Sequence, residues 1–277
     1  MAFFDDTLRL ESLRSFNLES EAAHAIQNKE IEVYFQPQAA VGGDNAGGPE
    51  RAEALARWIR GGNVFSYPDE FIPVLEKSGQ IAELDMYMFE ESCRFIKMMK
   101  EKHKKQVCIS VNISKISLMR PNCIEKYKAV KERYSVSNGE IELEFTESAA
   151  VENPYKFEKI IDGMKQCGFL CTMDDFGTGD TSLNLLQNLP VDMIKLDKMF
   201  FYGRIVNKSR HDIIVKSVLQ MAKRLGIRTV VEGVETLEQV EELRKMGCDY
   251  IQGYVYSMPL PEEEYEGMLI SGMPWND

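Results

Sequence analysis

From residue 31 to about residue 260 the chain repeats one pattern, a short apolar run followed by a longer amphipathic stretch. Runs at 31–35, 52–58, 107–113, 141–145, 169–173, 193–196, 229–231 and 250–254 have the length of strands. The stretches between them have helical periodicity: Phe157, Ile160, Ile161 and Met164 share one face, as do Ile214, Val218, Met221 and Leu225. Gly168, Gly226 and Gly247 each stand between a helical stretch and the next run, where a helix ends on a residue of positive φ. Asn153 and Pro154 supply a cap followed by proline at the first helical position, and Thr236 with Gln239 has capping-box spacing. Strands alternating with helices predict a parallel sheet covered by helices, and eight of them predict closure into an α/β, TIM-like (β/α)8 barrel. The open doubly wound sheet competes, but no G-x-G-x-x-G follows the first run.

At 277 residues the chain suits one such barrel, which typically needs about 250. Residues 1–28 read as a polar helical lead-in or linker, because Leu8, Leu10, Leu13, Phe16 and Leu18 are too irregular to define a core-facing stripe. Residues 29–277 form the barrel. The glycine-rich segment VGGDNAGG at 41–48 lacks the lysine and the following helix of a P-loop, so it reads as a hairpin loop. A hairpin there allows the first strand to run antiparallel to the others.

Six scattered cysteines without a C-x-x-C pair read as reduced core thiols, and three histidines make a zinc centre improbable. No stretch reaches the roughly 18 apolar residues of a membrane span, and acidic residues stand where a signal peptide would be basic, so the expected location is the cytoplasm. A net charge of −11 argues against a DNA or RNA binder, and requires cations to mediate any encounter with a phosphate compound.

The residues at the strand ends carry the chemistry. Glu53 lies within the second run, Asn112 and Glu144 end the third and fourth, Asp174 and Asp175 the fifth, Lys195 falls in the sixth, Glu232 ends the seventh and Gln252 opens the eighth. In a barrel these positions converge at one mouth, the face that presents catalytic groups. Carboxylates gathered in a partly dehydrated mouth repel one another unless protons or cations compensate, and oxygen-only donors select hard cations such as Mg²⁺ or Mn²⁺. The adjacent pair Asp174 and Asp175 suits two ions about 3.5–4 Å apart, an arrangement that serves in-line displacement at phosphorus. Lys195, inside an apolar run, needs anionic partners, and could orient a water or offset charge on a phosphorane. Taken singly, each acidic residue could be a helix cap or a solvated turn, and Lys195 a snorkelling side chain. Seven strand ends with the same chemistry are harder to explain that way.

YFQP (34–37), EALARW (53–58), FIPVLEKSG (71–79), SVNIS (110–114), ELEFTES (142–148), MDDFGTG (173–179), LPVDMIKLDKMF (189–200), VEGVET (231–236) and IQGY (251–254), in this order, resemble the EAL-domain cyclic di-GMP phosphodiesterases. The resemblance implies hydrolysis of cyclic di-GMP to linear pGpG. It makes Glu53, Asn112, Glu144 and Asp174 ligands of one Mg²⁺ or Mn²⁺ ion, and Asp174 and Asp175 ligands of a second. Glu232 stands with the metal ligands, and Lys195 and Glu232 position or deprotonate the attacking water. Glu147 resembles the glutamate that anchors the loop after the fifth strand. Gln252 resembles a glutamine near the metal-bound water, while Gln36, Leu55, Arg57 and Asp85 resemble substrate contacts. The family also implies a homodimer, and a sensory or GGDEF module in a longer parent chain.

Two departures stand out. Asp180, Thr181 and Ser182 follow DFGTG where the family commonly has Tyr-Ser-Ser, which bears on that loop, on pairing and on metal affinity. Gln38 and Ala39 stand where the family often has Ile-Val, a difference expected to matter less. Three rivals remain: an inactive EAL-type receptor of cyclic di-GMP, another metal phosphoesterase on a similar barrel, and a purely structural barrel. The retained ligand set speaks against the first, and the acidic mouth against the last.

Overall fold

The computed structural model describes residues 6–41, 50–151, 153–177, 185–187, 189–197 and 208–271. In chain order its elements are α1 (Asp6–Gln27), β1 (Ile31–Ala40), β2 (Glu50–Arg60), β3 (Asn63–Ser66), α2 (Pro68–Ser78), α3 (Ile81–Met98), β4 (Val107–Asn112), α4 (Lys115–Met119) and α5 (Cys123–Arg133). There follow β5 (Ile141–Thr146), α6 (Glu147–Val151), α7 (Pro154–Gln166), β6 (Leu170–Asp174), β7 (Met193–Leu196), α8 (Lys208–Leu225), β8 (Arg228–Val231), α9 (Leu237–Met246), β9 (Tyr250–Gln252), β10 (Leu260–Pro261) and α10 (Glu262–Ser271).

Eight strands close the expected barrel in the order β1-β2-β4-β5-β6-β7-β8-β9 and back to β1. From β2 through β9 the barrel neighbours are parallel, whereas β1 is antiparallel to both β2 and β9. The glycine-rich segment, of which 42–49 lie outside the described residues, therefore joins an antiparallel pair, as its hairpin reading requires. Two short strands escape the sequence pattern. β3 turns back on β2, and β10 lies along the outer part of β1.

The main core fills the space between barrel and helices. Phe35 of β1 stacks on Phe95 of α3 and Tyr265 of α10, with ring centroids 4.4 and 5.2 Å apart, and Trp58 of β2 meets Phe71 of α2 edge-on at 5.7 Å. Rings of this size remove large apolar areas from water, which is how the outer layer is held on the sheet. A second, smaller apolar group of Met193, Val230 and Tyr250 is separate from this core.

The helix signals are confirmed at the caps. Asn153 accepts from the N–H of Lys156, Thr236 and Gln239 form the capping box, and Gly168, Gly226 and Gly247 have φ of 80°, 72° and 94°. Phe157, Ile160, Ile161 and Met164 are all buried in α7. The face predicted for α8 is half borne out, since Val218 and Met221 pack partly buried against the core. Val215, Leu219 and Ala222 face the core, while Ile214 and Leu225 are more than half exposed. The lead-in helix also has a core-facing stripe after all, made by Leu18, Ala22 and Ala25, whereas Leu13 and Phe16 are exposed. Alanines carry little hydrophobic signal, yet at this spacing they let α1 sit close against α2 and α3. Among the described residues no helix is long and apolar enough to cross a membrane.

Candidate active site

Strand alternation sends every second side chain into the barrel, and here those side chains are polar in two layers. In the lower layer the Arg51 guanidinium donates to Glu142 Oε2 at 2.5 Å and to Cys108 Sγ at 3.1 Å, and lies 5.0 Å from the centre of the Tyr250 ring. Thr172 Oγ1 donates to the other oxygen of Glu142 at 2.6 Å. Burial alone would push the Glu142 carboxyl up, but Arg51 and Thr172 hold it below the ordinary value. Each of these residues except Cys108 lies two positions from a predicted site residue along its strand, yet Arg51, Glu142 and Thr172 are not among the predicted ones. The signal was the period of two: Arg51 precedes Glu53, and Glu142 precedes Glu144, by one alternation.

The upper layer is organised by Lys195, only 1% exposed, which excludes a snorkelling side chain. Its ammonium lies 3.1 Å from Glu53 Oε2, 2.8 Å from Glu144 Oε2, 3.5 Å from Asp174 Oδ1 and 2.6 Å from Glu232 Oε1. These four carboxylates, from β2, β5, β6 and the end of β8, are the ones predicted to converge. Glu53 also accepts from Asn112 Nδ2 and Gln252 Nε2, each at 2.6 Å. Gln252 closes β9 rather than opening it. Asp175 follows β6 in a left-handed conformation, with φ 55°, and its N–H donates to Asp174 Oδ1 at 2.9 Å.

One ammonium cannot neutralise so much negative charge. Burial opposes ionisation of Glu53 too, but Lys195, Gln252 and Asn112 together hold its carboxyl below the ordinary range. Burial and the Glu53 charge push Glu144 well above it, and burial and neighbouring carboxylates raise Asp174 and Asp175 against the pull of Lys195. Glu232 is pushed up to about 8, chiefly by burial, with Lys195 opposing; a fifth of its side chain still meets solvent. Lys195 rises in turn, its own burial outweighed by Asp174, Glu144, Glu232 and Glu53.

This donor set fits a hard divalent cation in kind. It offers carboxylate and amide oxygens, its charge is in excess, and Glu144 Oε1 is buried without a hydrogen-bond partner among the described residues. Asn112, its amide nitrogen turned to Glu53, has its carbonyl oxygen for the mouth. Among the described residues no three acidic, histidine or cysteine side chains stand at the spacing of a single ion. The carboxylates point at the Lys195 ammonium instead, so an ion has to share them with that charge.

Beside the carboxylates opens a cavity of about 460 Å³ whose walls include Leu55, Ile72, Asp85, Met88, Asn112 and Glu144. Asp85, pushed up to about 6 by burial, accepts from the N–H of Ser114 and from Ser117 Oγ at 2.8 and 2.7 Å, and so fixes the start of α4. Gln36 and Arg57 are absent from this lining. Gln36 is bonded internally, accepting from Gln252 Nε2 at 3.1 Å and donating to the Ser257 carbonyl at 3.3 Å. Arg57 donates to the carbonyl of Ala56 and lies over Tyr34. Glu147 is buried at the first position of α6. Asp180, Thr181 and Ser182 lie outside the described residues.

With this geometry in hand, comparison with known proteins is specific. The EAL domain family pattern matches residues 19–259. The chain is 30% identical over 268 residues to the cyclic di-GMP phosphodiesterase NbdA of Pseudomonas aeruginosa, covering 96% of this chain and 34% of that protein. It is 28% identical over 267 residues to the bifunctional diguanylate cyclase/cyclic di-GMP phosphodiesterase MucR of the same organism, covering 95% and 38%. The solved PaMucR phosphodiesterase in complex with c-di-GMP superposes with a TM-score of 0.80 at 28% identity, over 90% of this chain and 99% of that one. The chain thus spans a little over a third of the length of these curated relatives. A closed barrel with one antiparallel strand, a carboxylate mouth built around a buried lysine and a family match over most of its length identify the chain as a member of the EAL domain family.

Proposed function

We propose that the chain is a divalent-metal-dependent phosphodiesterase that opens cyclic di-GMP to linear pGpG. The observation that supports this most is the convergence of Glu53, Glu144, Asp174 and Glu232 on one buried ammonium beside a cavity open at the mouth. Glu53, Asn112, Glu144 and Asp174 would hold one Mg²⁺ or Mn²⁺ ion, Asp174 and Asp175 a second, with Glu232 at the edge of the cluster. When bound, the metal supplies positive charge that activates a water and stabilises the leaving oxygen.

The protein's own groups do the rest. Glu232 receives the proton of the attacking water, and Lys195 holds Glu232 in place through their 2.6 Å contact. The water oxygen bonds to phosphorus, the bond from phosphorus to the 3′-oxygen breaks, and that oxygen leaves with a proton from solvent. Leu55 and Asp85 on the cavity wall, together with Gln36 and Arg57 at the β1–β2 pair, serve as substrate contacts. The guanidinium of Arg57 suits a phosphate through its fork of donors. Glu147 anchors the loop after β6, where Asp180 would modulate pairing of two copies.

In this reading residues 29–277 are the phosphodiesterase barrel and 1–28 its lead-in. The protein works in the cytoplasm of a bacterium as a homodimer, joined to a sensory or GGDEF module in a longer parent chain. Incubation with cyclic di-GMP in Mg²⁺, Mn²⁺ or EDTA, with products followed by chromatography, tests the proposal. Metal-dependent pGpG is the expected result. Intact substrate under every condition would sink the enzyme, and binding of the intact dinucleotide would then make the chain a receptor.

A further inference from the structure

We propose that Gln38 is a positioning residue that fixes the side-chain amide of Gln252 in the orientation that donates to Glu53. The inference rests on the phosphodiesterase reading only in so far as Glu53 belongs to its machinery.

Gln38 and Gln252 are direct partners across the antiparallel β1–β9 pair. Gln38 Nε2 donates to Gln252 Oε1 at 2.9 Å. Gln252 Nε2 in turn donates to Glu53 Oε2 at 2.6 Å and to Gln36 Oε1 at 3.1 Å, and Gln36 Nε2 donates to the Ser257 carbonyl at 3.3 Å. Two groups in this chain, the Glu53 carboxylate and the Ser257 carbonyl, can only accept, and they set the direction of every bond between them. With both Nε2 protons of Gln252 spent on Glu53 and Gln36, its oxygen is the end that Gln38 holds.

An amide is nearly symmetric in shape, so a half-turn of Gln252 changes little sterically but exchanges oxygen and nitrogen. In the turned state Gln252 Oε1 would face the Glu53 carboxylate, and its Nε2 would face the Nε2 of Gln38. Glu53 and Gln36, the latter tied to the Ser257 carbonyl, oppose the turn, and Gln38, by holding the remaining end of Gln252 at 2.9 Å, adds a third attachment that keeps the amide from rotating off Glu53. Its own burial supports a role in donation. Gln38 is 3% exposed, and its Oε1 is buried without a partner among the described residues, an arrangement that an apolar side chain of similar size would avoid. A residue that leaves one end unsatisfied and spends the other on Gln252 is acting through Gln252.

The test uses Gln38→Leu, Gln252→Leu and the double variant of the whole chain. Losing a group that orients a metal-centre residue typically lowers activity by about 10- to 100-fold. Gln38→Leu should therefore reduce kcat by about tenfold, with KM for cyclic di-GMP little changed, and the double variant should be no slower than Gln252→Leu alone. Separately, the Gln252 side-chain amide protons, followed by ¹⁵N NMR, should lose protection from exchange in Gln38→Leu. A wild-type kcat for Gln38→Leu, losses that multiply in the double variant, or an unchanged Gln252 amide signal overturns the proposal. If Gln38→Leu does not fold, Gln38→Met is read in the same way. If the unmodified protein leaves cyclic di-GMP intact, the phosphodiesterase reading fails, and the amide measurement still decides what Gln38 does.

Discussion

Lys195 and Glu144 form an ion pair of 2.8 Å in which both side chains are almost wholly buried. Removing one partner of such a pair strands the other, at a cost of about 3–5 kcal/mol. Lys195→Met should lose hydrolysis and destabilise the barrel by about that much at pH 8, with three further carboxylates left facing Glu144. Because burial and mutual repulsion already raise Glu144, Asp174 and Glu232, these groups take up protons readily, and the penalty should shrink as the pH falls toward 5. Urea unfolding of the variant and the parent at both pH values checks this.

The Arg51–Glu142 pair makes a different prediction, because its charges are matched. Arg51→Met alone should cost about 3–5 kcal/mol, while Arg51→Met combined with Glu142→Leu should recover most of the loss, since a buried pair replaced by apolar side chains is often neutral. Chemical denaturation of both variants decides it. A double variant as unstable as the single would show that the pair does more than satisfy itself.

Asp85 offers a pH test. Burial raises its carboxyl from an ordinary 3.8 to about 6, so the folded protein binds the proton more tightly than the unfolded chain does. Above pH 6 the buried charge costs stability, and the cost is relieved as the pH falls from about 6 toward 3.8. Asp85→Asn keeps an acceptor for Ser114 and Ser117 without the charge. It should stabilise the fold at pH 8, by about 3 kcal/mol at most and seen as a higher Tm, and the advantage should vanish near pH 4. Thermal unfolding across that range gives the answer.

Gly253 follows Gln252 directly, and a Cβ on it would lie 2.1 Å from the carbonyl oxygen of Val234 and 2.5 Å from its nitrogen. Backbone atoms cannot yield as a side chain can, and the Val234 N–H itself donates to the Gln252 carbonyl at 3.3 Å. Gly253→Ala should therefore move Gln252 away from Glu53, lowering kcat more than tenfold and stability by about 2 kcal/mol. Activity and unfolding measured on one preparation separate the two effects.

The barrel and its carboxylate mouth were legible because both depend on periodicity. Each strand announces itself as an apolar run, and Asn112, Glu144 and Asp174 interrupt those runs at their ends. Legibility failed where a residue's neighbours gave no contrast. In α8 the run Ile213, Ile214, Val215 holds three apolar residues in succession, so the helical phase is ambiguous until packing selects Val215. In α1 the stripe went unseen because Ala22 and Ala25 read as neutral, which left Leu18 without visible companions. β3 and β10 have four and two residues, too few for a pattern. Gln38 was given little weight as a departure from a family habit, although it stands two positions from Gln36 on the same strand and so shares its face. The bonds of Gln36 to Gln252 and Ser257 were likewise illegible, because only the three-dimensional pairing brings these residues together.

Because β1 pairs with β9, the first and last strands of the barrel meet, and this orders events while the chain leaves the ribosome. Gln38 waits 214 residues for Gln252, Glu53 waits 142 for Lys195, and Arg51 waits 91 for Glu142. Throughout that interval the polar side chains of the nascent lumen are ordinary solvated groups, and they keep the incomplete sheet hydrated on its concave side. Desolvation then falls on the final seam, when β9 docks against β1. The same charges that make the finished lumen costly to assemble should oppose association of one unfinished sheet with another.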